Sequence, residues 1–514
     1  MHSTSISASK TNTMHSPANR IWVLFICILC ISSLSCKKFL ASYSQNNSFI
    51  ESAADLDELL VGDAYVDQYM ESAPEMLYTM DDDVAALVPT AINKLWEPTG
   101  FHYWKQQPRM NSDGQLTNND PYFNDLYSKI ARINTILHNV PLLRAKGQPA
   151  ATLDRIAGEA HFLRAFYYFL LVNIYGKPYK PSTAGTDYGV PLKTDPAIKE
   201  QFASRSSTGQ VFDQIVADLL EAEKELTGAN ETSTIRANQA SAQAFLSRVY
   251  LYMENYEQAV LYADKVISKG QYKITNLNTH PAGKDFLRKN SPEVIFTMGA
   301  NRVANIMRLF EDVSSSPGYR ASDDLMINYS TQDLRLQVFF SPNSKGHMRV
   351  AKKREVENST TDDVSDSYLI RLSEIYLNKA EALAALDRTE EARNTIQKFR
   401  ENRFRPNELP PVSSEGLALI NTIRDERRME LCWETQRWFD LRRYGVNTKY
   451  PFSKSIRHRS VVYTGNGYAD NGYYELGPYE QDAAAYVVPI ANDEIEFNQG
   501  LLTNEPRPAR PLKQ

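Results

Sequence analysis

Three consecutive carboxylates, Asp81, Asp82 and Asp83, are the residues best placed to bind a metal ion. Clustered carboxylate oxygens suit a hard cation such as Ca²⁺, although an acidic run of this kind is more often a solvated turn. We therefore expect no bound metal, with a calcium site as the alternative.

The remaining polar residues match no familiar catalytic pattern. The histidines beyond the N-terminal segment are scattered and form no H-x-x-x-H pair for zinc. The chain has no G-x-S-x-G nucleophile motif, no phosphate-binding loop and no dinucleotide-binding fingerprint. A pair of carboxylates for glycoside hydrolysis remains an alternative, because the chain has 62 acidic residues. No sequence pattern marks any of them for that role. We expect a non-catalytic protein without a cofactor.

The most information-dense stretch runs from Ile423 to Gly445, where apolar residues recur at helical spacing and the final glycine is a helix stop. Its one-turn neighbours of opposite charge are Arg427 with Glu430, Glu434 with Arg437, and Asp440 with Arg443. We therefore predict one helix with paired charges on its outer face. Trp433, Trp438 and Phe439 are expected to pack it onto the protein body.

Charge and composition exclude some partners. A net charge of −5 over 514 residues gives little field to attract a polyanion, so nucleic-acid binding is not expected. Hydrophobic residues make up 42% and charged residues 23% of the chain, which is typical of a globular protein. A chain of this length buries a substantial core.

The N-terminus has the pattern of an export signal. Arg20 precedes the apolar run Ile21–Ile31, and small residues follow as far as Cys36. This run is short for a membrane span and typical of a signal peptide. We predict that residues 1–35 are a lipoprotein signal peptide and that Cys36 becomes the lipidated first residue. The alternative is an ordinary secreted protein cut near Ser35.

The cysteines then allow no disulfide. Cys27 and Cys30 fall inside the predicted signal peptide. The mature chain keeps Cys36, whose sulfur would carry an acyl chain, and Cys432 in the arginine-rich stretch.

Helical periodicity dominates the mature chain. The predicted helices are Tyr122–Val140, Thr152–Tyr175, Val211–Leu226, the pair Ala237–Glu254 and Tyr256–Ser268, and the pair Tyr368–Leu386 and Thr389–Arg403. The two pairs place small residues as tetratricopeptide hairpins do, so we expect hairpins that stack to bury their apolar faces.

Long non-periodic stretches separate these helices. Gly270–Asp366 contains one strand candidate, Val294–Met298, and Asn447–Tyr486 is rich in Gly, Asn and Tyr. Loops of this length are usually functional. We divide the chain into the signal peptide, a tether over residues 36–50, an N-terminal region over 51–240 and a C-terminal region over 241–514.

Several motifs follow one another in a characteristic order. They are Cys36–Leu40, Arg132–Asn134, Gly158–Tyr167, Ala244–Tyr250, Leu369–Ala382, Arg424–Arg428, Arg437–Arg443 and Pro489–Ile490. Each is weak alone, but in this order they resemble the SusD/RagB family of outer-membrane nutrient-uptake lipoproteins from Bacteroidetes-type bacteria.

The resemblance implies a mostly α fold, in which tetratricopeptide-like hairpins pack against a loop-rich half with few short strands. It implies a lipoprotein anchored in the outer membrane and exposed at the cell surface. Its expected partners are an oligosaccharide and a TonB-dependent, SusC-like transporter that receives it. The alternatives are a peptide-binding member of the same family, a surface glycoside hydrolase and a structural scaffold.

Aromatic residues in the irregular region Pro74–Pro121 are the candidate ligand-binding residues. Sugar rings stack their apolar faces on aromatic side chains, while their hydroxyls bond to polar groups at the rim. Trp96, Tyr103 and Trp104 lie beside Lys105 and fit this chemistry. The alternative is that they pack inside the loop-rich half. On the first hypothesis, Trp96→Ala or Trp104→Ala weakens oligosaccharide binding without unfolding the protein.

The lipid anchor is directly testable. Cys36→Ala removes the only sulfur available for acylation at the predicted cut site, so we expect the protein to leave the membrane fraction. Fractionation of cells expressing each form, followed by immunoblotting, checks this. Persistence of the variant in membranes would contradict lipidation at Cys36.

Overall fold

The computed structural model describes residues 50–66, 76–87, 100–110, 120–196, 202–281, 285–301, 303, 318–342, 346, 348–350, 352, 364–365, 367–465 and 468–514. The predicted signal peptide, Cys36 and Trp96 lie outside these residues. Ser52–Gln514 groups as one unit, which is described below.

The helices carry most of the fold. In chain order they are α1 (Ala53–Leu59), α2 (Met76–Thr79), α3 (Pro121–Ala145), α4 (Ala150–Tyr175), α5 (Thr208–Glu225), α6 (Gln239–Tyr252), α7 (Tyr256–Ser268), α8 (Asp323–Met326), α9 (Arg335–Val338), α10 (Leu372–Ala385), α11 (Thr389–Arg400), α12 (Gly416–Leu431), α13 (Gln436–Val446), α14 (Tyr479–Asp482) and α15 (Asn492–Phe497). The predicted long helices are confirmed within a few residues at each end. The mostly α fold class is confirmed as well.

Local sequence explains where several helices begin. The Asp120 side chain accepts from the backbone N–H of Phe123 and precedes a proline in the first turn of α3. Capping boxes start α5 at Ser207 and α6 at Asn238. These side chains satisfy backbone N–H groups that a helix leaves without partners.

The helices stack in chain order. Each of α3 to α6 packs against the helix that follows it, and α7 packs against α10, which also contacts α11 and α12. The residues at the interface positions of the two hairpins are buried: Leu246, Tyr250, Ala259, Ala380, Leu383 and Ala392. The small side chains let neighbouring backbones approach closely, and the prediction of stacked hairpins is confirmed.

The strands form antiparallel pairs. They are β1 (Val84–Leu87), β2 (Val294–Thr297), β3 (Gly318–Ala321), β4 (Phe340–Pro342), β5 (Met348–Val350), β6 (Leu369–Arg371), β7 (Ile456–Tyr463) and β8 (Tyr468–Leu476). The pairs are β1 with β3, β2 with β6, β4 with β5, and β7 with β8. The strand candidate at Val294 is confirmed.

The interpretation of Asn447–Tyr486 as a long loop was wrong, because it contains the hairpin β7–β8. Side chains of β7 alternate between buried Ile456, His458 and Ser460 and exposed Arg457 and Arg459. This is the period of a strand. Two of the buried residues, His458 and Ser460, are polar. The sequence therefore lacks the apolar–polar alternation that would have predicted this strand.

The prediction of one helix over Ile423–Gly445 was also wrong. The stretch forms α12 and α13, separated by a turn in which Trp433 (φ 59°) and Thr435 (φ 57°) have left-handed backbones. Side chains disfavour that conformation, so nothing in the residue types indicated a break. Trp433, Trp438 and Phe439 are buried, which confirms their predicted role in packing.

The charges of this stretch are buried and pair mainly with other elements. Of the three predicted one-turn pairs, Asp440 with Arg443 forms, at 2.7 Å. Arg427 bonds instead to Asp440, at 2.8 Å. The outer-face expectation was wrong, because residues such as Arg427 and Glu430 have no exposed surface.

Glu430 is the centre of the largest buried ionic network among the described residues. Its carboxylate accepts from Arg371 at 2.6 Å, from Arg403 at 2.8 Å and from Arg335 at 3.3 Å. Glu434 continues the network, accepting from Arg371 and from Lys352 at 2.7 Å. Although burial alone would raise it, Arg403 and Arg371 hold the pKa of Glu430 well below its usual range.

One cysteine lies at the turn between α12 and α13. Cys432 is buried and free of disulfides. Its sulfur lies 3.5 Å from the Tyr329 hydroxyl, and burial raises the pKa of its thiol.

Removing the charge of Glu430 should be costly. Glu430→Gln leaves several buried guanidinium groups short of an anion, so we expect the free energy of unfolding to fall by about 3–5 kcal/mol. Urea denaturation followed by circular dichroism measures it. The control is Glu390→Gln, because that glutamate is 77% exposed in its pair with Arg393. The surface change should cost less than about 1 kcal/mol; similar losses in both variants would contradict the role of the network.

Candidate functional site

The structure contains an open cleft of about 700 Å³. Its walls are β1, β3 and the start of α8 on one side, and Lys454–Arg459 at the beginning of β7 on the other. We call it the β1–β7 cleft. Clefts of this size take small molecules or parts of oligomers.

The base of the cleft is held by charges from the arginine-rich stretch. Asp82 lines the cleft and accepts two hydrogen bonds from Arg437, at 2.7 and 2.8 Å. Lys454 lies 2.5 Å from the same carboxylate, and Arg428 bonds to Asp83 at 2.7 Å. Burial would raise the pKa of Asp82, but Arg437, Arg428 and Lys454 hold it well below its usual range. These contacts fix β1 against α12 and α13.

The same contacts bear on the calcium alternative. Ligand atoms of Asp81, Asp82 and Asp83 lie within 4.8 Å of one another. However, Asp82 and Asp83 already accept from two arginines. Burial and the neighbouring acids raise the pKa of Asp81 well above its usual range, which favours its neutral form. The acidic triplet is therefore suited to guanidinium groups rather than to a metal ion.

A stack of buried rings lies behind the cleft. His458 stacks on His102 at 3.9 Å between ring centroids and on Trp104 at 4.3 Å. The Trp104 indole N–H donates to the carbonyl of Met80 at 2.9 Å. His458 also contacts the carbonyl oxygens of His102 and Asp81, at 2.6 and 3.0 Å. The stack attaches β7 to the segment that precedes β1.

The hairpin β7–β8 contributes a second group of rings beside the cleft. Tyr103 lies 4.5 Å from Tyr474 between ring centroids, and its hydroxyl donates to the carbonyl of Arg459 at 3.3 Å. Lys105 donates to the Tyr474 hydroxyl at 2.7 Å. Tyr474 is partly exposed, so this face combines an aromatic ring with a cation.

The cleft lining combines apolar side chains from β1 with charged and polar side chains from the start of β7. Arg457 and Arg459 have side chains 63% and 58% exposed, and Ser455, just before β7, is also exposed. Among the described lining residues there is no Trp, Tyr or Phe. Asp82 and Asp324 both have a lowered pKa, so neither fits the role of a general acid, which needs a raised one.

Comparison with known proteins identifies the family. Residues 317–506 match the model of the SusD family, and residues 38–251 match a SusD-like model described as starch-binding and associating with the outer membrane. The chain belongs to the SusD family. The resemblance seen in the sequence motifs is thereby confirmed.

Curated relatives of this SusD-family protein come from Formosa agariphila. "SusD-like protein P38" is 27% identical over 62% of this chain and 71% of its own length. "SusD-like protein P25" is 22% identical over 82% of this chain and 90% of its own length.

Solved structures share the fold. A SusD superfamily protein from Bacteroides thetaiotaomicron matches with a TM-score of 0.65 at 23% identity, covering 89% of this chain and all of that one. A SusD-like carbohydrate-binding protein from Bacteroides vulgatus matches with a TM-score of 0.64 at 20% identity, covering 87% and 97% of the two chains. No helix within the described ranges is both long enough and apolar enough to cross a membrane.

Two of the three predicted binding residues lie inside the protein. Trp104 is 0% exposed and Tyr103 is 5% exposed, so neither offers an open ring face in this structure. Because the Trp104 indole fills a packed site and donates a hydrogen bond, we now expect Trp104→Ala to destabilise the fold. Trp96 falls outside the described residues, between the end of β1 at Leu87 and Gly100. The three assignments to ligand binding stay predictions.

No sequence motif indicated the basic residues of the cleft. Lys454, Arg457 and Arg459 lie in the part of the chain that was interpreted as a loop. The available signal was the spacing of Arg457 and Arg459, which lie two residues apart and so on one face of a strand.

The buried histidine stack should make stability depend on pH. Burial lowers the pKa of His458 to about 4, so as the pH falls the unfolded chain, with a His pKa of about 6.5, binds a proton first. The contribution of neutral His458 is complete above pH 6.5 and is lost between pH 6.5 and 4, by about 3 kcal/mol. We expect the stability difference between the wild type and His458→Gln to shrink by that amount over this range.

Urea denaturation at pH 7.5 and pH 4.5 measures the difference. Comparing two variants removes the opposing effect of acids with a raised pKa, such as Asp81. The control is His138→Gln, since that side chain is exposed on α3. A stability difference between wild type and His458→Gln that does not change with pH would contradict a buried neutral histidine.

Proposed function

We propose that this protein is a non-catalytic lipoprotein of the outer membrane that captures an oligosaccharide at the cell surface. On this proposal it delivers the ligand to a TonB-dependent, SusC-like transporter. The observation that carries the proposal is the β1–β7 cleft, which combines many hydrogen-bonding groups with neighbouring rings. Membership of the SusD family supports it, as does the description of the N-terminal model as starch-binding and outer-membrane-associated.

The chemistry of the cleft supports ligand capture rather than hydrolysis. Arg457, Arg459 and Ser455 offer donors and an acceptor to sugar hydroxyls. Arg320 and Asp323 bond to each other at 2.7 Å, and Lys454 bonds to Asp324 at 2.8 Å. Although burial alone would raise it, the hydrogen bond from Lys454 and the charge of Arg428 lower the pKa of Asp324. An ionised carboxylate suits binding and does not provide a proton for the leaving group.

An aromatic stacking surface is the remaining requirement. We propose that Trp96, which follows β1 in the chain, supplies it together with the partly exposed Tyr474. Stacking on the ring faces would complement the polar contacts from β7.

A peptide ligand is the second candidate. The described lining is charged and contains no Trp, Tyr or Phe. A peptide with charged side chains would match alternating groups such as Arg457 and Asp323. On this second proposal the ligand is a peptide instead of an oligosaccharide, while the cleft and the transporter are the same.

The mature chain carrying Cys36→Ala should bind oligosaccharides on a glycan array, and calorimetry should then give the affinity for the best ligand. We expect Trp96→Ala to weaken binding at least tenfold, or about 1.4 kcal/mol, because it removes a stacking face. Ser455→Trp, which fills the cleft, should weaken it further.

The matched control is Asn394→Trp, an exposed position on the scaffold helix α11. It adds the same side chain away from the cleft and should leave affinity unchanged. Binding to a peptide library with no glycan bound would favour the peptide candidate. Unchanged glycan affinity in both Trp96→Ala and Ser455→Trp would rule out this site.

A further inference from the structure

A second cavity, of about 450 Å³, lies between the turn Gln106–Arg109 and the C-terminal segment Pro489–Arg507. It shares no lining residue with the β1–β7 cleft. Arg507 forms part of its wall and is 6% exposed. We call this cavity the Arg507 pocket.

Arg507 has an incomplete set of hydrogen bonds. Its Nη1 donates to the carbonyl of Val487 at 2.9 Å, while its Nε and Nη2 have no partner. Within the part of the chain that the structure describes, no carboxylate forms an ion pair with it. A buried cation without an anion is unfavourable, since the desolvation of its charge is not offset.

The neighbouring charges are already matched in pairs. Arg109 pairs with Asp120, Arg510 bonds to Asp482 at 2.6 Å, and Lys177 bonds to the pocket residue Glu505 at 2.8 Å. The positive charge of Arg507 is therefore the excess in this region. Burial and the nearby charge of Arg510 lower the pKa of Arg507 to about 10, so it stays protonated at neutral pH.

The unpaired atoms of Arg507 are the ones that bind carboxylates elsewhere in this protein. Arg164 donates from Nε and Nη2 to Asp218 at 2.9 and 2.6 Å. Two further arginines donate in the same way: Arg248 to Glu374 at 2.5 and 2.6 Å, and Arg437 to Asp82 at 2.7 and 2.8 Å. Two parallel N–H groups match two oxygens of a carboxylate, sulfate or phosphate group.

We propose that the Arg507 pocket binds an oxyanion, which accepts hydrogen bonds from Nε and Nη2 of Arg507. Water in the same place would satisfy a donor but would leave the charge uncompensated. The oxyanion is either a free inorganic anion or an acidic group carried by a larger ligand. The proposal does not depend on which ligand the β1–β7 cleft takes.

Thermal unfolding in sulfate, phosphate and chloride at matched ionic strength tests the site. Sulfate stabilises proteins in general, so the informative quantity is the difference between variants. We expect wild type to gain more from sulfate and phosphate than Arg507→Met does. Arg507→Lys keeps the charge but loses the paired donors, and calorimetry should show sulfate binding at least tenfold weaker than in wild type. The control Arg405→Met removes an exposed arginine and should respond as wild type does.

Diffraction from wild-type crystals soaked in selenate locates the anion independently of any variant. Anomalous density against Arg507 Nε and Nη2 would support the proposal. Equal sulfate responses in wild type and Arg507→Met would overturn it, and so would selenate bound only elsewhere. If Arg507→Met does not fold, Arg507→Lys and the selenate map decide.

A competition experiment distinguishes a free inorganic anion from an acidic group on a larger ligand. Glucuronate and an acidic oligosaccharide are titrated into protein with and without sulfate, with the neutral sugar as control. Displacement of sulfate by the acidic oligosaccharide would identify a group on a larger ligand. Binding of sulfate or phosphate without such displacement would identify a free-anion site.

Discussion

The carboxylate of Glu430 is the point on which the ionic interior of this fold depends. Arg371 reaches it from β6, Arg403 from the segment after α11, and Arg335 from α9. Buried ion pairs add little net stability compared with well-packed apolar side chains, but breaking one is costly. A complete network therefore selects one arrangement of these elements, because a shifted helix would leave charges buried without partners. The ionic network around Glu430 thereby fixes the helical stack against the loop-rich half.

The arginine-rich stretch that contains Glu430 also positions the candidate ligand site. Arg428 lies two residues before Glu430 and Arg437 lies in the next helix, and both bond to the acidic triplet beside β1. One member of the triplet, Asp82, lines the cleft. The apolar spacing of this stretch predicted that it packs onto the protein body. The structure places its arginines directly behind the cleft, where they orient a wall without lining it.

Elements specified by near neighbours in the chain were predictable, and those specified by distant partners were not. Helices α3 to α7 follow from apolar spacing, and α3, α5, α6 and α7 also have side-chain caps directly before their first residues. Arg371 lies 59 residues from Glu430 in the sequence, and Arg437 lies 355 residues from Asp82. One-turn spacing therefore predicted the wrong partners for Glu430 and Arg437. Two further features also depend on parts of the chain that are distant in sequence. They are the left-handed backbones at Trp433 and Thr435 and the buried polar face of β7. The type of an aromatic residue, as at Trp104, does not determine whether its ring faces solvent.

The burial of Cys432 has a practical consequence for spectroscopy. It is the only cysteine within the described ranges, and its thiol is both inaccessible and shifted away from the reactive thiolate form. A cysteine introduced at an exposed position on the rim of the β1–β7 cleft, in the mature chain carrying Cys36→Ala, would react alone with a maleimide dye. The fold therefore permits a fluorescent reporter of ligand arrival to be attached at one atom, with no prior removal of the native thiol.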